Sequence, residues 1–308
     1  MSPPKAPPRS PAPPGERHNG RVIAAHGRHY LVELDDEPEA PPLPCFTRGK
    51  KSELACGDRV EISLPAKGQG VVERIAPRQS LLYRSNEFRE KLIAANVTQV
   101  LVVAATEPAF SDDLISRCLV AAESQGLKHH ILLNKCDLAE RLPAARQALA
   151  PFAALGYPIL ELAARDQGAA ALRPLLQGEV SVLVGQSGMG KSTLVNALVP
   201  GAQAATREIS AALDSGKHTT THARLYHLDA HSDLIDSPGL QEFGLGHLSR
   251  AELEQAFPEL RAHLGQCRFR DCRHDREPDC ALHTALDAGL IHPRRWSVFR
   301  SLYQAAQE

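Results

Sequence analysis

Asn134-Lys135-Cys136-Asp137 lies upstream of Gly185-Gln186-Ser187-Gly188-Met189-Gly190-Lys191-Ser192, and this order constrains the fold more than any compositional feature does. The second string fits the pattern G-x-x-x-x-G-K-[ST]. Its glycines let backbone N–H groups close around phosphate oxygens, Lys191 neutralises their charge, and the Ser192 hydroxyl is placed to hold Mg²⁺. The flanks agree, because Val180-Ser181-Val182-Leu183-Val184 reads as a short buried strand and 191–198 has the apolar spacing of a helix whose N-terminus faces the anion. Strand, glycine loop and helix in succession predict an α/β sheet domain built around a phosphate site.

The upstream motif selects the base. Ile131-Leu132-Leu133 reads as a strand running into Asn134, which puts the polar residues at a strand's C-terminal end, where open α/β sheets bind ligands. Asp137 can accept both N–H groups of guanine's Watson–Crick edge, with the Asn134 amide and the Lys135 stem framing O6 and the ring. Adenine offers an acceptor at the matching position, and a site of buried hydrogen bonds rejects it. Downstream, Asp236-Ser237-Pro238-Gly239 closes the run Asp233-Leu234-Ile235. In P-loop GTPases a D-x-x-G so placed lets the aspartate assist Mg²⁺ and the glycine N–H reach the γ-phosphate. Between the two, Gly216-Lys217-His218-Thr219-Thr220-Thr221-His222 has the hydroxyls of a first switch segment, in which one threonine completes the metal shell. Segments 223–228 and 234–236 are expected to form an antiparallel hairpin around 229–232.

Base motif, phosphate loop, switch threonines and D-x-P-G, in that order, are a circular permutation of the Ras-like order. Over roughly 20–305 the chain closely resembles the circularly permuted ribosome-biogenesis GTPases known as ribosome small-subunit-dependent GTPase A. The resemblance implies that GTP or GDP is held by Asn134, Lys135, Cys136, Asp137, Gly185, Gln186, Ser187, Gly188, Met189, Gly190, Lys191, Ser192, Thr193, Thr220, Asp236 and Gly239, with Mg²⁺ at the phosphates. Leu240 stands where Ras-like proteins carry the glutamine that orients water, so intrinsic hydrolysis should be slow. His218 is the candidate replacement, with His222 and His227 nearby, and the implied catalytic set is Lys191, Ser192 and His218. Ala163-Ala164 replaces the Ser-Ala often found beside the base, a loop whose contacts are largely backbone. The implied partners are the small ribosomal subunit and its rRNA. Two other classes share parts of the pattern: a metabolic P-loop kinase, which has no use for N-K-x-D, and a non-hydrolysing GTP sensor, which Leu240 permits.

Near the C-terminus, Cys267-x₄-Cys272-x-His274-x₅-Cys280 offers three thiolates and an imidazole, a donor set suited to one structural, tetrahedral Zn²⁺. The surrounding segment is too polar to make a core, so the metal would supply its folding energy. Helices are expected at 251–257 and 280–290. The interleaved basic and aromatic residues of 294–303 can stack on RNA or pack into their own domain.

Toward the other end, 21–25, 29–34, 57–62 and 71–75 read as short strands separated by turn residues, which suggests a small β-barrel. In the family this is an OB-fold that contacts rRNA, and Thr47-Arg48-Gly49-Lys50-Lys51 is the candidate phosphate contact. The expected organisation is multidomain α/β: a proline-rich disordered tail (1–18), an OB-like RNA-binding barrel (19–77), a permuted P-loop GTPase domain (78–245) and a helical zinc-binding domain (246–308). Arg78-Gln79-Ser80-Leu81-Leu82 is the expected link between barrel and GTPase domain. A net charge of −1 excludes a general polyanion binder, so RNA contact must rely on local patches. The seven cysteines follow no disulfide pattern and no stretch reaches the length of a membrane span. A cytoplasmic monomer with no membrane contact is expected.

Overall fold

The computed structural model describes residues 17–306 except 27–28, 49–53, 67, 87–88, 166–167, 203–222 and 238–242. Five short strands open the chain: β1 (Arg17–His26), β2 (His29–Leu34), β3 (Leu43–Thr47), β4 (Arg59–Ala66) and β5 (Gln69–Ile75). β1 pairs antiparallel with both β2 and β4, β2 pairs with β3, β3 runs parallel to β5, and β5 returns to β4, so the barrel closes and no free edge remains. Val22, Tyr30, Val32, Cys45, Val60, Ile62 and Val72 fill its interior. β1 begins at Arg17, inside the stretch expected to be a tail, and β3 is a strand the sequence pattern did not indicate. Arg48 follows it and pairs with Glu73 at 2.5 Å. The rest of the expected phosphate contact, 49–51, lies outside the described residues.

The turn from Gly57 to Asp58 joins barrel and sheet domain. Gly57 has φ +94°, and a Cβ there would meet the Ala95 carbonyl oxygen at 2.2 Å, so only glycine fits. Asp58 is fully buried. Its carboxylate accepts the Ala55 N–H at 2.7 Å and a two-pronged bond from Arg78 at 2.7 and 2.8 Å. Leu81 and Leu82, expected in a link, instead begin a two-stranded hairpin of β6 (Leu81–Asn86) and β7 (Arg89–Ala95).

The elements β8 (Gln99–Ala105), α1 (Asp112–Ser124), β9 (Lys128–Asn134), α2 (Leu142–Ala154), β10 (Ile159–Glu161), α3 (Gly168–Leu176), β11 (Val180–Val184), α4 (Lys191–Leu198), β12 (Arg224–His227) and β13 (Asp233–Asp236) build the central domain. Its strand order is β10-β9-β8-β11-β13-β12. All neighbours are parallel except the edge strand β12, which makes the expected antiparallel hairpin with β13. β8 is buried at every position, as a strand covered on both faces by crossover helices must be. One core cluster runs from Ile23 and Leu31 of the barrel through Val100 and Val182 to Phe257 and Phe299 of the C-terminal helices, and the other face of the sheet has its own.

Four helices complete the chain: α5 (Arg250–Ala256), α6 (Pro258–Arg261), α7 (Ala281–Asp287) and α8 (Pro293–Ala305). Ser249 and Glu252 form a reciprocal capping box at the start of α5. The basic and aromatic residues of α8 mostly pack inward. Arg295 is 1% exposed, pairs with Glu259 at 2.7 Å and lies 4.5 Å over the Phe257 ring. Removing one partner of such a pair strands a buried charge, at a cost of about 3–5 kcal/mol.

The barrel docks on the edge of the central sheet through Ala24 opposite Arg224 and through a charge network. His227 on β12 bonds Asp233 of β13 through Nδ1 and Glu33 of β2 through Nε2, both at 2.6 Å, while Arg21 of β1 also pairs with Asp233. Burial alone would raise the Asp233 carboxyl, but the His227 bond and the Arg21 charge hold it below its usual range. The bonds to Asp233 and Glu33 push His227 from 6.5 up to about 10. Its folded value exceeds its unfolded one, so the stabilisation is complete below roughly pH 6.5 and is lost as pH rises through about 10. The His227 side chain is 50% exposed, so the effect is modest. The thermal midpoint of the parent should therefore exceed that of His227→Gln most near pH 6 and converge on it by about pH 10. A difference that stays constant with pH would show that His227 is not clamped as a cation.

Candidate functional site

Five parallel strands bring their C-terminal ends to one edge of the sheet, so the residues after β8, β9, β10, β11 and β13 converge although they are far apart in the chain. Residues 185–190 wrap the start of α4. Gly190 is its N-cap at φ +95°, and no side chain caps the helix, so its N-terminal N–H groups stay open to an anion. A Cβ on Gly190 would stand 2.2 Å from Asn134 Nδ2, so the last glycine of the loop is required by a residue of the other motif.

That neighbour defines the site. Asn134 is 1% exposed. Its Nδ2 donates to the Met189 carbonyl oxygen at 3.0 Å, and its Oδ1 accepts the Ala164 N–H at 3.0 Å. The amide thus ties the phosphate loop to the Ala163-Ala164 loop and is turned into the fold. Lys135, at φ +61°, extends along the glycine loop and donates to the carbonyls of Gly188 at 2.8 Å and Glu107 at 2.7 Å. Cys136 lies half-buried with its thiol against the Leu133 carbonyl at 3.2 Å. Asp137 is exposed on the same edge, its carboxylate free of the contacts that anchor Asn134 and Lys135.

Within the loop, Ser187 and Gly188 are exposed and Met189 is buried. Gln186 accepts the Ser111 N–H at 2.8 Å. Lys191 is 7% exposed, and its ammonium donates to the carbonyls of Gly185 at 2.7 Å and Gln186 at 2.9 Å. Burial lowers its pKa while the Asp236 charge opposes the shift. Ser192 and Thr193 are exposed at the first turn of α4. Asp236, at the end of β13, has its acidity weakened by burial, with Lys191 opposing, so that its pKa rises to about 6. Its Oδ1 is buried without a hydrogen-bond partner among the described residues, an orphaned acceptor of the kind a cation or its bound water would satisfy. Ser237 turns away and donates to the Leu183 carbonyl at 2.6 Å. His218, Thr220, Gly239, Leu240 and the rest of the first switch lie outside the described residues. His227 does not belong to this edge: it faces Asp233, at the opposite end of the β12–β13 ladder from Asp236, with both ring nitrogens engaged.

The second site is in the C-terminal domain. The donor atoms of Cys267, Cys272, His274 and Cys280 all lie within 4.8 Å of one another. His274 Nδ1 is 3.6, 3.6 and 3.3 Å from the sulfurs of Cys267, Cys272 and Cys280, and Cys267 is 3.9 Å from Cys280. A tetrahedral ion with bonds of about 2.3 Å to sulfur and about 2.0 Å to nitrogen needs edges of about 3.5 and about 3.8 Å, so the cluster can hold a metal ion as it stands. His274 Nε2 faces Glu254 at 3.2 Å, which fixes the ring with Nδ1 toward the sulfurs. His274 and Asp279 adopt φ +56° and +58°, the tight backbone that folding four donors around one point requires. Neither Glu254, on α5, nor the Ser111 contact to Gln186 carries a sequence signal, since both partners come from distant elements.

An α/β sheet with a phosphate loop, a guanine motif lying upstream of it and an antiparallel edge strand defines a circularly permuted P-loop GTPase. The RsgA GTPase family model matches residues 75–246. The small ribosomal subunit biogenesis GTPase RsgA of Burkholderia pseudomallei (strain 668) is 54% identical over 311 residues, covering 99% of this chain and 98% of that protein. Its counterpart from Ralstonia pickettii (strain 12J) is 53% identical over 309 residues, covering 96% and 97%. Among solved structures, YjeQ from Thermotoga maritima matches with TM-score 0.67 at 29% identity, covering 94% of this chain and 98% of that one. YloQ, described as a circularly permuted GTPase, matches with TM-score 0.64 at 25% identity, covering 96% and 97%. The chain belongs to the RsgA GTPase family.

The donor geometry predicts that protein purified under reducing conditions carries about one equivalent of tetrahedral metal. Cys280→Ser should lose it and lower the thermal midpoint, as a strong chelator should in the parent. Metal-free protein with an unchanged midpoint would refute a structural ion here.

Proposed function

We propose that this chain hydrolyses GTP to GDP and phosphate, is stimulated by the small ribosomal subunit, and acts late in that subunit's maturation through contacts with rRNA. The observation that carries the reading is the bonding of Asn134 and Lys135 to the carbonyls of Met189 and Gly188, which makes one site of two motifs in permuted order. The printed names of the curated relatives supply the partner.

In this reading Asp137 accepts the N–H groups of guanine, and the N–H groups of 185–193 and of the α4 N-terminus cradle the phosphates. Lys191 releases the carbonyls of Gly185 and Gln186 and turns to the β- and γ-phosphates, where its charge offsets that developing during in-line attack by water. Its present partners are neutral carbonyls, so the exchange gives the ammonium an oppositely charged acceptor. Ser192, Thr220 and Asp236 would hold Mg²⁺, and the orphaned Asp236 Oδ1 fits that role. Held there, the ion would supply positive charge against that of the phosphates. Gly239 would meet the γ-phosphate and His218 would position water. Cys267, Cys272, His274 and Cys280 would hold one structural Zn²⁺, which with no open coordination position stabilises the fold.

The barrel and the C-terminal domain flank this site and would grip the RNA. In this reading the barrel begins with β1 at Arg17 rather than at 19 and extends to 77, the GTPase domain covers 78–245 and the zinc-binding domain 246–308, and the protein works as a cytoplasmic monomer. Among the described residues no helix is long and apolar enough to cross a membrane.

Phosphate release from GTP and from ATP, measured with and without purified small subunits, tests the reading. Stimulation confined to GTP and abolished by Ser192→Ala is expected, whereas a rate indifferent to subunits would overturn it. Because the Asp236 pKa is raised to about 6, Mg²⁺-dependent GTP binding should weaken as pH falls through about 6, where the carboxylate takes up a proton that the cation must displace. Titration of a fluorescent GTP analogue from pH 5 to 8 checks this, and Asp236→Asn should flatten the profile.

A further inference from the structure

Segment 106–112, between β8 and α1, forms a collar against the phosphate loop. Thr106 Oγ1 donates to the Lys135 carbonyl at 2.8 Å, and Lys135 Nζ binds the Glu107 and Gly188 carbonyls together. Pro108 sits within contact distance of Gly188, 3.5 Å from where a Cβ would stand. Ser111, the N-cap of α1, gives its N–H to the Gln186 side chain at 2.8 Å. The next residue, Asp112, pairs with Arg294 of the last helix, and Arg294 Nη2 also donates to the Ala148 carbonyl of α2 at 3.0 Å. A continuous run of contacts thus leads from the C-terminal domain to the loop: Arg294, Asp112, Ser111, Gln186.

We propose that Arg294 is a positioning residue for nucleotide binding: by holding the start of α1 against α2 it fixes the collar, and through Gln186 it sets how tightly the phosphate loop closes on a guanine nucleotide. Among the described residues Arg294 bonds Asp112 and Ala148 and none of the nucleotide motifs, so its effect passes through the collar. The arginine fork is required because one side chain serves a carboxylate and a backbone carbonyl on two different helices. A docked partner that shifted the C-terminal domain would loosen the collar by the same route, which links that domain to nucleotide exchange. The inference rests on reading 185–193 as the phosphate loop.

The test is the release rate of a fluorescent GDP analogue from the full-length, metal-loaded protein, with the thermal midpoint followed in parallel. Arg294→Ala and Asp112→Asn should each speed release by about twofold to fivefold, the size expected of a half-exposed ion pair. The double variant should release no faster than the faster single one, the sign of a shared interaction. Arg294→Lys, which can keep one of the two bonds, should fall between parent and alanine variant, and turnover at saturating GTP should be unchanged while KM rises. Release within experimental error of the parent in every variant, additive effects in the double variant, or a lowered midpoint without faster release would each overturn the proposal. Failure of the parent to bind the analogue would instead sink the nucleotide assignment itself.

Discussion

The structure depends most on a single side-chain amide. Asn134, at the end of β9, uses both of its polar atoms to join the loop after β11 to the loop after β10, and it does so while almost fully buried. An amide placed there without partners would cost about 1–3 kcal/mol for each unsatisfied group, so the three loops are held in register by a mutual requirement. Gly190 is part of the same requirement, because the space a side chain would fill is occupied by Asn134 Nδ2. Chain order does not enter into this. Contacts among loops at one edge of a parallel sheet need only the right neighbours, and connecting the same strands in another order changes loop-closure entropy slowly. The permuted order read from the sequence is therefore compatible with an ordinary site.

The flanking domains share one apolar core with the central sheet and differ in the polar contacts they add. The barrel, besides the packing of Ile23 and Leu31, adds a short strand contact and the Arg21, Asp233, His227 and Glu33 network, whereas the C-terminal helices pack against α1 and α2 and add the Arg294–Asp112 and Arg261–Glu123 ion pairs. The apolar contact is insensitive to direction, and the charge contacts are not. The barrel is also decorated with paired charges: Arg17 with Glu61, Arg59 with Asp35, Arg48 with Glu73. An arginine so engaged must give up a carboxylate before it can meet a phosphate. Together with the net charge of −1, this favours recognition of a shaped partner over attraction to nucleic acid in general.

What could be read beforehand follows the range of the interactions. The phosphate loop, α4, the β12–β13 hairpin and the Cys₃His cluster were legible because each is local: a strand runs into glycines, a turn lies between alternating strands, four donors fall within one short segment. β3 escaped because it is only five residues long, contains Pro44 and lies parallel to a partner distant in sequence. β6 and β7 escaped because their sequences, Leu81-Leu82-Tyr83-Arg84 and Lys91-Leu92-Ile93-Ala94-Ala95, lack the apolar–polar alternation that marks a strand. The use made of Asn134 was invisible for another reason. Its motif pointed to the base, but its partners are a carbonyl and an N–H, groups every residue possesses. Glu33 and His227 are likewise a pair whose members are individually unremarkable.

The two attachments lie on different sides of the nucleotide edge. The barrel grips β12 and β13, the strands that adjoin 203–222 on one side and end in Asp236 on the other. The C-terminal domain grips α1 and α2, whose leading ends lie beside the loops after β8 and β9. Nucleotide-dependent movement in a P-loop GTPase arises in the segments around the γ-phosphate, while the phosphate loop and base motif stay comparatively fixed. The barrel is paired with the edge strand β12 and with Asp233 of β13, whose other end is Asp236, and the C-terminal domain is paired through Arg294 with the start of α1 and with α2.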